Sequence, residues 1–182
     1  MGGSIFKILG LEGKRSKRAG RGSSPGDSET IHRIAAALGR LQPERARLVA
    51  AFAFILSRAA RADLRISEAE SRAMGHSVST WAGLPEEQAA LVVEIARHQN
   101  ILFGATEDYI VTREFSRVAS REDKLGLLHC LFAVSASDES ISSVENASIA
   151  QIARELGLSH DDLVQARLRY RDKLAVLKGL PD

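Results

Sequence analysis

Apolar residues recur at three- and four-residue steps along almost the whole chain from Ser28 onward, the spacing of helices that each bury one face. Ile31, Ile34, Ala35, Leu38 and Leu41 form the first stripe, with Ser28 as its expected N-cap. Pro43 suits a first helical position and opens a helix to about Ala62, striped by Leu48, Phe52, Ile55, Leu56 and Ala59. Helices are then predicted from Glu68 to Trp81, stopped by Gly83, and from Pro85 through Ala89, Val92, Val93 and Ala96. Thr106 to Ala119 follows, with Tyr109, Ile110 and Phe115 inward. Ser120 opens another helix, carrying Leu125, Leu128, Leu131 and Phe132. Ser143 to Leu156 places Val144, Ala147, Ile152 and Leu156 on one face, and Gly157 supplies a left-handed cap. Ser159 and Asp162 form a variant capping box before a last helix with Leu163, Ala166, Tyr170, Leu174 and Leu177. No two-residue alternation of an exposed strand interrupts this pattern. The fold class is all-α, a bundle of about seven to eight helices.

One acidic phrase occurs twice. Asp63-Leu64-Arg65-Ile66-Ser67-Glu68-Ala69-Glu70 and Asp138-Glu139-Ser140-Ile141-Ser142-Ser143-Val144-Glu145 carry Asp, Ile, Ser and Glu at equal offsets, 75 residues apart. A helix precedes each phrase, and a helix, then Gly83-Leu84 or Gly157-Leu158, then another helix follows. Repeat units at about 43–100 and 120–178 are expected, related by an internal pseudo-twofold axis.

Length and charge refine the division. The 182 residues suit one domain with a tail. Residues 1–21 hold six basic residues against Glu12 alone, a net of +5, which leaves −3 on the remainder of a chain whose total is +2. Residues 1–27 are expected to be a flexible basic tail, a short apolar patch (Ile5 to Leu11) followed by Gly, Ser, Lys and Arg. Residues 28–182 are the helical domain. No stretch reaches the roughly 20 apolar residues of a membrane span, and the Ile5–Leu11 patch is too short for a secretory signal. One cysteine, Cys130, in an apolar run, excludes an intramolecular disulfide and is expected to be a buried small hydrophobe. These features point to the cytoplasm, with peripheral contact at the inner membrane face through residues 1–21 as an open alternative to a solvated linker. Nucleic acid is disfavoured, because no stacking aromatics interleave the basic residues.

The phrase supports two chemistries. Ser67 with Glu70 and Ser142 with Glu145 each fit a capping box, in which the serine accepts from the amide three residues on and the glutamate reaches back. Asp63 and Asp138 would end the preceding helices, and Ile66 and Ile141 would act as hydrophobic staples. The second reading keeps the caps and adds an ion. Asp63, Glu70, Asp138 and Glu145 are hard oxygen donors for a divalent cation such as Ca²⁺ or Mg²⁺, if both loops converge or water completes the shell. The twelve-residue ligand spacing and central glycine of an EF-hand are missing.

Ala62-Asp63-x-x-Ile66-Ser67-x-x-Glu70, and its counterpart from Ser137 to Glu145 followed by Ile149 to Ser159, resemble the tellurite-resistance TerB-like proteins, relatives of the N-terminal domain of DjlA-type co-chaperones. The resemblance covers about residues 30–178. It implies an all-α duplicated fold, a link to metal or tellurite stress, and an acidic cation site at Asp63, Glu70, Asp138 and Glu145. Leu64 and Glu139 stand where the family usually places glycine.

Other chemistry is sparse. His32, His76, His98, His129 and His160 make no metal-ligand spacing with each other or with Cys130, and no Gly-x-Ser-x-Gly elbow is present. No catalytic residue and no organic cofactor are expected. The leading expectation is a non-enzymatic interaction module tuned by a divalent cation, with an unnamed protein partner. A cation-free scaffold or co-chaperone-type domain and a carboxylate metalloenzyme are the rivals.

Overall fold

Two segments are apolar on nearly every side, and a helix of that kind has to be enclosed by others. In the computed structural model they are the second and sixth helices. The structure describes residues 25–59, 68–98, 108–138 and 140–174, with side chains throughout except at 25–28, 59, 69, 70, 108 and 138. The basic tail through residue 24, Asp63 with its loop, the Thr106 cap, Glu139 and Leu177 lie outside the described residues. The element order is α1 (Pro25–Gly39), α2 (Pro43–Ala59), α3 (Glu68–Trp81), α4 (Glu86–Arg97), α5 (Asp108–Val118), α6 (Arg121–Ser135), a 3₁₀ turn (Ala136–Asp138), α7 (Ser143–Glu155), α8 (His160–Leu168) and a second 3₁₀ turn (Arg171–Lys173). The expected all-α bundle is present, with eight α-helices among the described residues.

α2 is buried without a break from Leu48 to Ser57 and is packed by α1, α4, α5, α6 and α7. α6 buries Leu127, Leu128, Cys130, Leu131, Phe132 and Val134, and is packed by α2, α3, α7 and α8. Phe52 and Phe115 meet edge to face, ring centres 6.0 Å apart, and join α2 to α5.

The closest approach is between α3 and α6. A Cβ built on Gly126 would lie 2.7 Å from the Trp81 carbonyl oxygen and 2.9 Å from the Ala82 Cα. Three residues further along α6, the His129 ring stacks on Trp81 with centres 4.7 Å apart. α3 therefore ends near the beginning of α6, yet it also packs against Ala136–Asp138 beyond the other end of α6. Only an antiparallel course satisfies both contacts, so the first turn of α3 lies beside the second acidic phrase.

The repeat units, α2–α3–α4 and α6–α7–α8, contact each other reciprocally. Their first helices touch, and each first helix also touches the second helix of the other unit. The exchange is unequal, since α3 lies along α6 far more extensively than α7 lies along α2. The repeated Gly-Leu pair behaves alike in both units. Gly83 and Gly157 have φ of 58° and 72°, the left-handed region open to glycine. At Gly157 the amides of Gly157 and Leu158 donate to the carbonyls of Arg154 and Ala153, both at 3.0 Å, a Schellman closure.

α2, α5 and α7 are tied together by polar groups. Arg58 Nη1 donates to Glu155 Oε2 at 2.9 Å and to Thr112 Oγ1 at 2.7 Å, with the ion-pair side chains only 8% and 11% exposed. Gln151 Nε2 donates to Glu155 Oε1 at 2.9 Å, and the Ser116 hydroxyl donates to the Leu156 carbonyl at 3.0 Å. Burial alone would raise the Glu155 carboxyl, but hydrogen bonds from Arg58 and Gln151 and the guanidinium charge outweigh it and hold it below its ordinary value.

Four expectations need correction. α1 begins at Pro25 rather than after Ser28, because proline is suited to a first turn. Tyr109 is 56% exposed, under Arg113, because Val111, Thr112 and Phe115 set the inward face of α5. Val144 is 80% exposed and Ala147 is also exposed; Ile149, Ile152, Ala153 and Leu156 form the buried stripe of α7. The last helix ends at Leu168. The chain then turns, and buried Leu174 pairs with Ile141 in an isolated parallel bridge.

Two outcomes follow from this packing. Gly126→Ala, normally a gain in a helix interior, should instead destabilise by about 1–3 kcal/mol, because the methyl meets backbone rather than a movable side chain; chemical denaturation measures it, and unchanged stability contradicts the close approach. Arg58→Met should destabilise by about 3 kcal/mol at neutral pH by leaving a buried carboxylate unpaired. Since the folded-state pKa of Glu155 is depressed, its contribution is present above the ordinary value near 4.5 and is lost as pH falls through the folded value. Melting curves from pH 6 to 3 should show a smaller acid-induced loss in Arg58→Met than in the parent.

Candidate functional site

Local chemistry shapes the second acidic phrase. α6 ends at Ser135 with Ala136 as its C-cap, and the Ser137 hydroxyl donates to the Val134 carbonyl at 2.7 Å, so the chain tightens into the 3₁₀ turn that contains Asp138. Ile141 is 1% exposed, and its amide donates to the Lys173 carbonyl at 2.7 Å. The expected staple is thus an anchor held by the chain's C-terminal segment. Ser142 then caps α7. The Glu145 amide donates to Ser142 Oγ at 3.2 Å, and the Ser142 amide donates to Glu145 Oε2 at 2.8 Å, completing both halves of the capping box.

The capping role leaves Glu145 Oε1 without a hydrogen bond among the described residues. Glu145 also stands four residues before Ile149 and seven before Ile152, in phase with the buried stripe of α7. It is half-buried at the end of that stripe rather than on the solvated face.

Glu70 lies in the first turn of α3 and Asp138 in the 3₁₀ turn that α3 packs against. Their side chains, Asp63 and the Ser67–Glu70 capping box lie outside the described residues. The backbones of Glu70 and Asp138 therefore belong to elements that pack together, and Glu145 lies in the first turn of the helix that follows the 3₁₀ turn. Three buried oxygens in or next to these elements have no hydrogen-bond partner among the described residues: Ser71 Oγ, next to Glu70; Ser135 Oγ, three residues before Asp138; and Asn146 Oδ1, next to Glu145. Buried oxygens are ordinarily satisfied. Oxygen ligands of this kind, beside carboxylates, fit a hard cation or its waters and not a soft metal. Among the described residues alone, no three of His, Cys, Asp and Glu gather as a metal group.

The other titratable groups behave as structural parts. Cys130 is buried, and burial pushes its thiol up, away from the reactive thiolate. His129 is stacked on Trp81; burial first, and then the charge of Arg169, keep it toward the neutral form. Asp162 caps α8 through Ser159 and pairs with Arg121 at 2.6 Å. The sequence reading missed the Ile141–Leu174 pairing and the orphaned oxygens. Ile141, flanked on both sides by polar residues, was the available signal for the first, and nothing local signals the second.

No curated protein and no solved structure matches the chain. Among family models, the one described as Tellurite resistance protein TerB matches residues 49–168, from within α2 to the last residue of α8. That span includes both acidic phrases, both Gly-Leu turns and most of the core, and the chain belongs to the TerB family.

Proposed function

We propose that this TerB domain is a non-catalytic interaction module whose acidic end takes up a divalent cation, Ca²⁺ or Mg²⁺, through Asp63, Glu70, Asp138 and Glu145, and presents the loaded surface to a protein partner in a metal- or envelope-stress response. The packing of Ala136–Asp138 against α3 carries this reading, because it brings the elements of both acidic phrases together. The orphaned oxygens of Ser71, Ser135 and Asn146 support it, as does the unused second oxygen of Glu145. Capping fixes the Glu145 backbone and one oxygen, so an ion would meet a ligand already oriented and lose little entropy in ordering it. The buried, unreactive state of Cys130 and the stacked His129 favour a binding role over nucleophilic or acid–base chemistry.

Calorimetric titration with Ca²⁺, Mg²⁺ and Zn²⁺ tests the proposal. Heat and a rise in melting temperature are expected with Ca²⁺ or Mg²⁺, and Asp138→Asn should weaken affinity about tenfold or more. No heat at millimolar metal would contradict cation binding and favour a plain scaffold. Capping and ion binding separate by substitution. Ser142→Ala should lower stability by about 1 kcal/mol with cation affinity nearly intact, whereas Glu145→Gln, which can still complete a capping box, should lose affinity with little change in stability.

A further inference from the structure

α8 is polarised by charge. Asp161 and Asp162 open it, Arg167 closes it, and Arg169, Arg171 and Lys173 follow. Cations at a helix C-terminus are ordinary, because they oppose the carbonyl end of the dipole. Several observations here go beyond that. The four cations between 167 and 173 are offset by Asp172 alone, a net of +3 on a body whose total after residue 21 is −3. None of the four enters an ion pair among the described residues, whereas Arg33, Arg58, Arg97, Arg117 and Arg121 all do. Arg167 Nε is buried with no hydrogen-bond partner among the described residues.

Leu168, in the middle of these cations, is 55% exposed and takes no part in the core. Arg169 lies over the half-buried Trp81, 5.0 Å from the ring centre. A basic rim, an outward leucine and an amphipathic indole are the groups that settle at a charged bilayer surface: cations meet headgroup phosphates, the apolar side chain enters the acyl boundary, and tryptophan prefers the interface. A nucleic acid would offer phosphates to the same cations, but no apolar medium for Leu168.

We propose that the segment Arg167–Lys173, with Leu168 at its centre and Trp81 at its rim, is a docking surface for an anionic lipid bilayer. The inference does not rest on cation binding at the acidic end.

Trp81 is the chain's only tryptophan, so its fluorescence reads this surface and not the basic tail. The full chain is titrated with vesicles of phosphatidylcholine, with and without phosphatidylglycerol. A Trp81 emission change that brominated acyl chains quench, with phosphatidylglycerol present only, is expected. Arg171→Glu/Lys173→Glu removes charge without touching Trp81 and should weaken the response about tenfold or more; Leu168→Ser should weaken it with folding unchanged by circular dichroism. Co-sedimentation with anionic vesicles while Trp81 emission stays fixed would assign binding to the tail and overturn the proposal. An undiminished response in the double variant would overturn it too. So would a Trp81 response to a DNA duplex with none to vesicles.

Discussion

The bare Cα of Gly126 lets the end of α3 reach backbone contact with α6, and the arrangement of the rest depends on that approach. With the end of α3 held at Gly126 and its side chain Trp81 stacked on His129, the helix runs back along α6 to the Ala136–Asp138 turn. Its first turn, which carries Glu70, is thereby set beside the second acidic phrase. A side chain at 126 would push the helices apart by a distance that a close-packed core does not absorb. The site is in this sense a consequence of core geometry.

Polar groups inside the bundle fall into two kinds. Arg58, Thr112, Gln151 and Glu155 satisfy one another and lock α2, α5 and α7 into register. By contrast, Ser71, Ser135 and Asn146 leave buried oxygens unmatched among the described residues, all in elements adjoining the acidic phrases. A fold that pairs a buried guanidinium with Thr112 Oγ1 and Glu155 Oε2 has no general difficulty in satisfying polar atoms. The unmatched oxygens are therefore informative about where solvent or an ion belongs.

Much of this was legible in the sequence because it is local. The serine and glutamate of the capping box at 142 and 145 and the glycines at 83 and 157 each act within a few residues, and each does what its chemistry dictates. Boundaries failed where tertiary contacts override periodicity. The three- and four-residue rhythm continues through Tyr170, Leu174 and Leu177, yet Leu174 leaves the helix to pair with Ile141. Val144 and Tyr109 are apolar residues near helix starts whose phase differs from that of the stripe that follows. The Arg58–Glu155 pair spans 97 residues and has no local trace at all. Of the four carboxylates singled out, only Glu145 has its side chain among the described residues, and it is both a cap and a half-buried oxygen donor.

Paramagnetic broadening by Mn²⁺, in place of Mg²⁺ or Ca²⁺, tests the central claim that the two acidic phrases form one cation-binding end. In amide spectra of the full chain, substoichiometric Mn²⁺ is predicted to broaden Ser71 to Met74 and Ile141 to Asn146 together, leaving α1 sharp. Broadening of one segment without the other, or of neither, would contradict a shared site.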